Sequence, residues 1–166
     1  MRRLLLPFLL VLAGRPCWAQ DGAPAAGRRN ALYLEGGGRS PYYAVGYEWA
    51  VWRRPRATYL LSAGLGLTGD ELSGPLGLGL LTGSGAHHTE FGLGLTPAVR
   101  HYRRADTDKV LYLTPLAGYR YQPPQGRWYA GAGLTPVLFI DPPSYDPWDF
   151  STRWYASGRV LLGWRW

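Results

Sequence analysis

Apolar and polar residues alternate along most of this chain with a period of two, the spacing of a strand with one face apolar and the other polar. The last segment, "TRWYASGRVLLGWRW", is the clearest case. Its even positions are Trp154, Ala156, Gly158, Val160, Leu162, Trp164 and Trp166, and its odd positions include Arg153, Tyr155, Ser157, Arg159 and Arg165. The same split recurs in "ALYLEGGG", "YYAVGYEWAV", "ATYLLSAGLGLT", "GPLGLGLLT", "TEFGLGLTPAVRHY", "VLYLTPLAGYRYQ" and "RWYAGAGLTPVLFI". Turn-like breaks separate these segments: "GGGRSP", "RRPR", "TGDELSG", "TGSGAHH", "RRADTDK", "PPQGR" and "DPPSYDPWDFS". Eight antiparallel strands are enough to close an up-and-down barrel. Pro97, Pro115 and Pro136 fall inside predicted strands, where a missing N–H is expected to mark bulges or breaks.

The outward row sorts its aromatics by height. With an even strand number both termini lie on one side. Tyr59, Phe91 and Trp128 then start strands on the same rim where Tyr47 and Trp49, Tyr119 and Tyr121, and Trp164 and Trp166 end them. Aliphatic residues fill the middle, and Tyr43 and Trp154 mark the opposite rim more thinly. Such a girdle suits a membrane–water interface. A secreted soluble barrel, with its apolar face turned inward around a ligand, is the alternative.

The chain begins "MRRLLLPFLLVLAGRPCWAQ". A basic start, a short apolar run and a small residue at Ala19 have the layout of a secretory signal peptide. The expected organisation is therefore a signal over 1–19, a flexible leader over 20–29 and a barrel over 30–166. Cleavage would remove Cys17, the single cysteine, and lower the formal charge from +7 to about +4. The remaining arginines are scattered singly, without the basic stripe of a nucleic-acid binder, so no nucleic-acid partner is expected.

The signal-like start, the eight alternating strands and the terminal "GWRW" resemble the small eight-stranded outer-membrane β-barrels of Gram-negative bacteria. "LTPLAGYRYQPP" and "GLTPVLF" are similar to stretches of an uncharacterised subgroup of them. The resemblance implies a monomer among outer-membrane lipids, delivered by Sec-type export. It also implies that the barrel-assembly machinery reads the last strand, where Arg159, Trp164 and Trp166 match the pattern. Leu161 departs from it, since a glycine is usual there.

Inward positions read Tyr33, Glu35, Glu48, Glu90, Arg100, Tyr112, Arg120, Tyr129, Tyr155 and Arg159. An eight-stranded interior has room for side chains and little else, and buried charges must pair. Two ion pairs are expected: Glu35 with Arg159 on the strands that meet at closure, and Glu90 with Arg120 near the periplasmic rim. A plugged polar lumen follows, with a structural or surface-binding role, no evident catalytic site and no cofactor. The rival reading is a lipid A acyltransferase or deacylase at the outer rim. His101 stands at the outer end of its strand, but its nearest serines, Ser144 and Ser151, belong to another loop. His87 and His88 lie in a predicted turn without a third metal ligand. The Asp141–Thr152 loop carries acids and aromatics suited to a binding surface or a cap.

One motif misleads. "GLGLTG" at Gly64–Gly69 matches a dinucleotide-binding fingerprint, but a turn and another strand follow it where the fingerprint needs a helix. "GLGLTP" at Gly92–Pro97 and "GAGLTP" at Gly131–Pro136 repeat it on strands running the same way. Its glycines are expected to face inward and leave space for tyrosines and arginines.

Overall fold

A computed structural model describes residues 28–40, 42–101, 108–141 and 151–166. The expected signal peptide over 1–19, most of the expected leader and most of the Asp141–Thr152 loop lie outside the described residues. Eleven strand segments are present among the described residues: β1 (Asn30–Gly37), β2 (Tyr43–Arg54), β3 (Ala57–Leu67), β4 (Glu71–Ser73), β5 (Leu76–Ser84), β6 (His87–Arg100), β7 (Asp108–Tyr121), β8 (Trp128–Leu134), β9 (Val137–Asp141), β10 (Ser151–Tyr155) and β11 (Gly158–Arg165).

Every pairing is antiparallel, and β1 pairs with both β2 and β11, so the sheet closes on itself. The segments β4 and β5, β8 and β9, and β10 and β11 each form one continuous stave, giving a closed eight-stranded barrel. The start of β1, the end of β11 and the tight turns after Arg54 and Ser84 share one end, called here the terminal end. The β1–β2, β3–β4, β6–β7 and β9–β10 connections form the loop end.

The prolines behave differently from expectation. Pro97 and Pro115 lie inside the unbroken β6 and β7, and neither causes a bulge. Pro136 does fall at a break, between β8 and β9. The register that pairs Leu113 with Leu138 and Ala117 with Leu134 runs straight through, so Pro115 stands opposite Pro136. Pro75, between β4 and β5, likewise stands opposite Thr96, beside Pro97. Missing donors are thus gathered at two places, and the proline carbonyls stay in use. Gly74 N–H donates to Pro97 O at 2.9 Å and Gly64 N–H to Pro75 O at 2.8 Å. The one bulge in the β2–β3 ladder falls between Ala50 and Trp52. It turns Trp52 outward beside Val51, where strict alternation would send it in, and Trp52 stacks on Tyr59 at 5.6 Å. "TGDELSG" is also more than a turn, because Glu71–Ser73 pairs on both sides.

Outward and inward rows alternate along the staves as the period-two pattern requires. The interior fits because glycines lie beside large side chains. Tyr33 pairs in register with Gly46 on one side and Gly163 on the other, and Gly163 pairs with Tyr129. A Cβ on Gly46 would strike the Tyr33 ring, and one on Gly163 the Tyr129 ring. Both rings therefore lie flat over a glycine on the next stave in the same circumferential direction, the contact known to pin register in designed sheets.

Gly163→Val is expected to cost about 1–3 kcal/mol of unfolding free energy through overpacking. Gly36→Ala, where a Cβ meets nothing within 4 Å, should stay within about 0.5 kcal/mol of the parent. Urea unfolding followed by tryptophan fluorescence checks both, and equal effects at the two sites would refute the ring-over-glycine account.

Candidate functional site

Three arginines and three glutamates meet inside the barrel, each nine-tenths buried or more. Arg159 Nε donates to Glu35 Oε2 at 2.8 Å, and its Nη1 donates to Glu90 Oε1 at 2.8 Å. Arg120 holds Glu90 through Nε at 3.0 Å and Nη2 at 2.8 Å. The same guanidinium grips Glu48 with Nη1 at 2.6 Å and Nη2 at 2.9 Å. Arg39 completes the chain, with Nη2 3.2 Å from Glu35 and its backbone N–H donating to Glu35 Oε1 at 2.8 Å.

The two pairs expected from sequence, Glu35–Arg159 and Glu90–Arg120, are both in contact. They are not separate, because Arg159 also reaches Glu90 and Arg120 also reaches Glu48. Nor is the second pair confined to a rim: Arg120 is wholly inaccessible and lies 4.7 Å from the Tyr129 ring. The Arg120–Glu48 and Arg159–Glu90 bonds join staves that are not neighbours, so they cross the lumen. The six formal charges cancel, which burial in a narrow interior demands.

Arg39 is the member that sequence reading missed, since "GGGRSP" looks like an exposed turn. Gly37 and Gly38 take φ of +67° and +76°, a region open to glycine, and fold the turn back into the mouth. Arg39 then runs over Gly77 and Gly94, where any Cβ would collide with it, and donates to Ser62 Oγ. Thr96 Oγ1 donates to the Arg39 carbonyl at 2.7 Å and holds the turn down. The signal was available: Glu48 had no assigned partner, and a lone arginine sat among glycines that permit an inward turn.

A second, smaller cluster occupies the loop end. Arg100 Nε and Tyr112 OH both donate to Glu71 Oε2, at 3.1 and 3.0 Å. Arg100 is part-exposed there and Tyr155 is half-exposed, so these two belong to the mouth and not to the filled interior. Glu71 was hidden from sequence reading inside an apparent turn. His87 and His88 open β6, and His87 Nδ1 is bonded to Tyr119 Oη. His101, with a φ of +52°, lies 4.0 Å from Asp108 at the loop end, while Ser144 lies outside the described residues. Among the described residues no group of three His, Cys, Asp or Glu side chains is placed to hold a metal ion.

The predicted rim aromatics Tyr47, Trp49, Tyr59, Phe91, Tyr119, Tyr121 and Trp128 are all outward and exposed, near the terminal end. Trp166 packs against Tyr47 with centroids 6.2 Å apart, and Trp164 against Trp128 at 4.7 Å. Between Arg39, Glu48 and Glu90 a void of about 10 Å³ remains, room for about one water. A larger basin of about 470 Å³ opens at the terminal end. Comparison with protein-family models, curated proteins and solved structures finds no match to the chain.

Arg120→Met strands the buried Glu48 carboxylate, leaves Glu90 to Arg159 alone, and should cost about 3–5 kcal/mol of unfolding free energy. Adding Glu48→Gln removes one stranded charge and should recover part of that loss, measured by urea unfolding. A double variant that is additively worse would show that Arg120 acts through packing and not through charge.

Proposed function

We propose that the chain is an integral outer-membrane β-barrel protein whose lumen is plugged by its own side chains, serving a structural or surface-binding role and conducting no ions. The observation that carries this reading is the distribution of side chains across the barrel wall. Leu34, Val45, Leu61, Leu65, Leu78, Leu93, Val160 and Leu162 face outward at 43–68% exposure, while the charge network lies inside. Soluble monomers rarely expose a contiguous apolar patch of more than a few hundred Å². Lipid accepts such a surface, and it requires the closed ladder present here, because the hydrocarbon offers the backbone no hydrogen-bond partner.

The aromatic girdle at the terminal end supports a periplasmic-side interface there, with the longer connections facing outward. A soluble barrel that binds an apolar ligand needs its apolar row inside, whereas here that row is outside. The cross-lumen ion pairs and the void of about 10 Å³ beside them support a lumen closed to ions. Arg159, Trp164 and Trp166 on the closing stave carry the pattern that the assembly machinery would read.

Expressed in full in a Gram-negative host, the protein should fractionate with the outer membrane and migrate faster on gels before boiling than after. Reconstituted in planar bilayers, it should give no stepwise current. Recovery in the soluble periplasm would end the membrane reading, and ohmic single-channel steps would end the plugged one.

A further inference from the structure

The basin of about 470 Å³ at the terminal end is lined by Arg28, Arg29, Arg53, Arg54 and Arg165, with Glu48 as the single carboxylate among the described residues of its wall. That carboxylate is already committed, since both of its oxygens are held by Arg120. The volume lies in the ordinary range for small-molecule sites, about 300–1,000 Å³.

Three of these arginines converge. Arg28 Nη1 and Arg165 Nη2 donate to the same carbonyl oxygen, that of Gly126, each at 2.7 Å. Arg28 Nη1 also reaches Gln125 O at 2.8 Å, and Arg165 Nη2 reaches Pro123 O at 2.6 Å. Arg53 in turn donates to the Arg28 carbonyl. Carbonyl oxygens satisfy donors without cancelling charge, so Arg28 and Arg165 gather like charge on one neutral acceptor. Arg165 is 8% exposed, and its Nε has no hydrogen-bond partner. Arg39, Arg120 and Arg159 are matched by carboxylates, whereas Arg28 and Arg165 meet backbone carbonyls alone among the described residues.

We propose that this basin is a binding site for a small phosphate-bearing polyanion of the diphosphate or phosphate-ester class. Guanidinium forks match phosphate oxygens in geometry and charge. Two or more forks on one basin favour a ligand with several charged oxygens over a monoanion. The walls that supply them are the chain entry at Arg28 and the end of β11 at Arg165, so a ligand would sit at the barrel's closing seam.

The test is calorimetric titration of the folded full-length product with sodium pyrophosphate at constant ionic strength. Saturable binding at one site per chain is expected, weakened about tenfold by Arg165→Gln and by Arg28→Gln. Arg100→Gln, at the opposite mouth, should leave it unchanged. Arg28 precedes the first strand, so its variant remains informative if Arg165→Gln assembles poorly. A second titration with phosphatidylglycerol in the micelles separates two sources of the same chemistry: displacement assigns the site to lipid headgroups, and undisturbed binding to a soluble phosphate. Absence of saturable heat up to about 5 mM pyrophosphate, already weak for a specific site, would overturn the proposal. Equal weakening by Arg100→Gln would do the same, because it would reduce the effect to net charge.

Discussion

The structure depends on mutual neutralisation of charges inside a barrel too narrow to hydrate them. Eight staves enclose space for side chains alone, and an unpaired ion there would be severely destabilising. Arg39, Arg120 and Arg159 balance Glu35, Glu48 and Glu90, and each arginine contacts at least one of the acids. The network draws on β1, its following turn, β2, β6, β7 and β11. Neighbouring staves are already tied by backbone hydrogen bonds. The cross-lumen bonds from Arg120 to Glu48 and from Arg159 to Glu90 tie staves that the ladder cannot reach.

The glycines are the necessary counterpart of that network. Long guanidinium and phenol groups fit only where the facing wall has no side chain. Arg39 lies across Gly77 and Gly94, Tyr33 across Gly46 and Tyr129 across Gly163. The repeated glycine–leucine segments follow the same rule. Gly66 faces Ser40 and Ser73, Gly133 faces Leu116, and the intervening leucines, such as Leu65, turn outward. What resembles a phosphate-binding turn in "GLGLTG" is a strand whose inner face is kept thin. The space beside these glycines is taken by serine, threonine, arginine and leucine side chains, and the tyrosines that the sequence suggested lie instead over Gly46 and Gly163.

The faces of the staves were legible because a strand's period is two and each stave separates apolar from polar. Glu35, Arg159, Glu90 and Arg120 could be paired because strand order alone makes their staves neighbours. Arg39 and Glu71 were not legible in the same way, since both sit where composition signals a turn. Burial there is decided by how the turn folds back, through the positive φ of Gly37 and Gly38 and the short β4 ladder. The prolines failed as markers for a related reason. A strand pattern shows where a donor is missing but not what lies opposite, and the outcome depends on the register that sets Pro115 against Pro136. The Trp52 bulge is equally silent in sequence, being one residue added to an otherwise regular alternation.

The two ends of the lumen treat charge in opposite ways, and that asymmetry bears on function. At the loop end Arg100 meets Glu71 and Tyr112, and positive charge is answered where it enters the barrel. At the terminal end Arg28 and Arg165 meet, among the described residues, backbone carbonyls, which satisfy their donors without answering their charge. A fold under pressure only to fill its interior has no reason to gather Arg28 and Arg165 on one carbonyl oxygen, because replacing either with a neutral residue would relieve the repulsion between them. The neutral middle also separates the ends electrically, since Arg120 takes up the Glu48 carboxylate that borders the basin. The element that closes the barrel thus also sets the positive field of its open end.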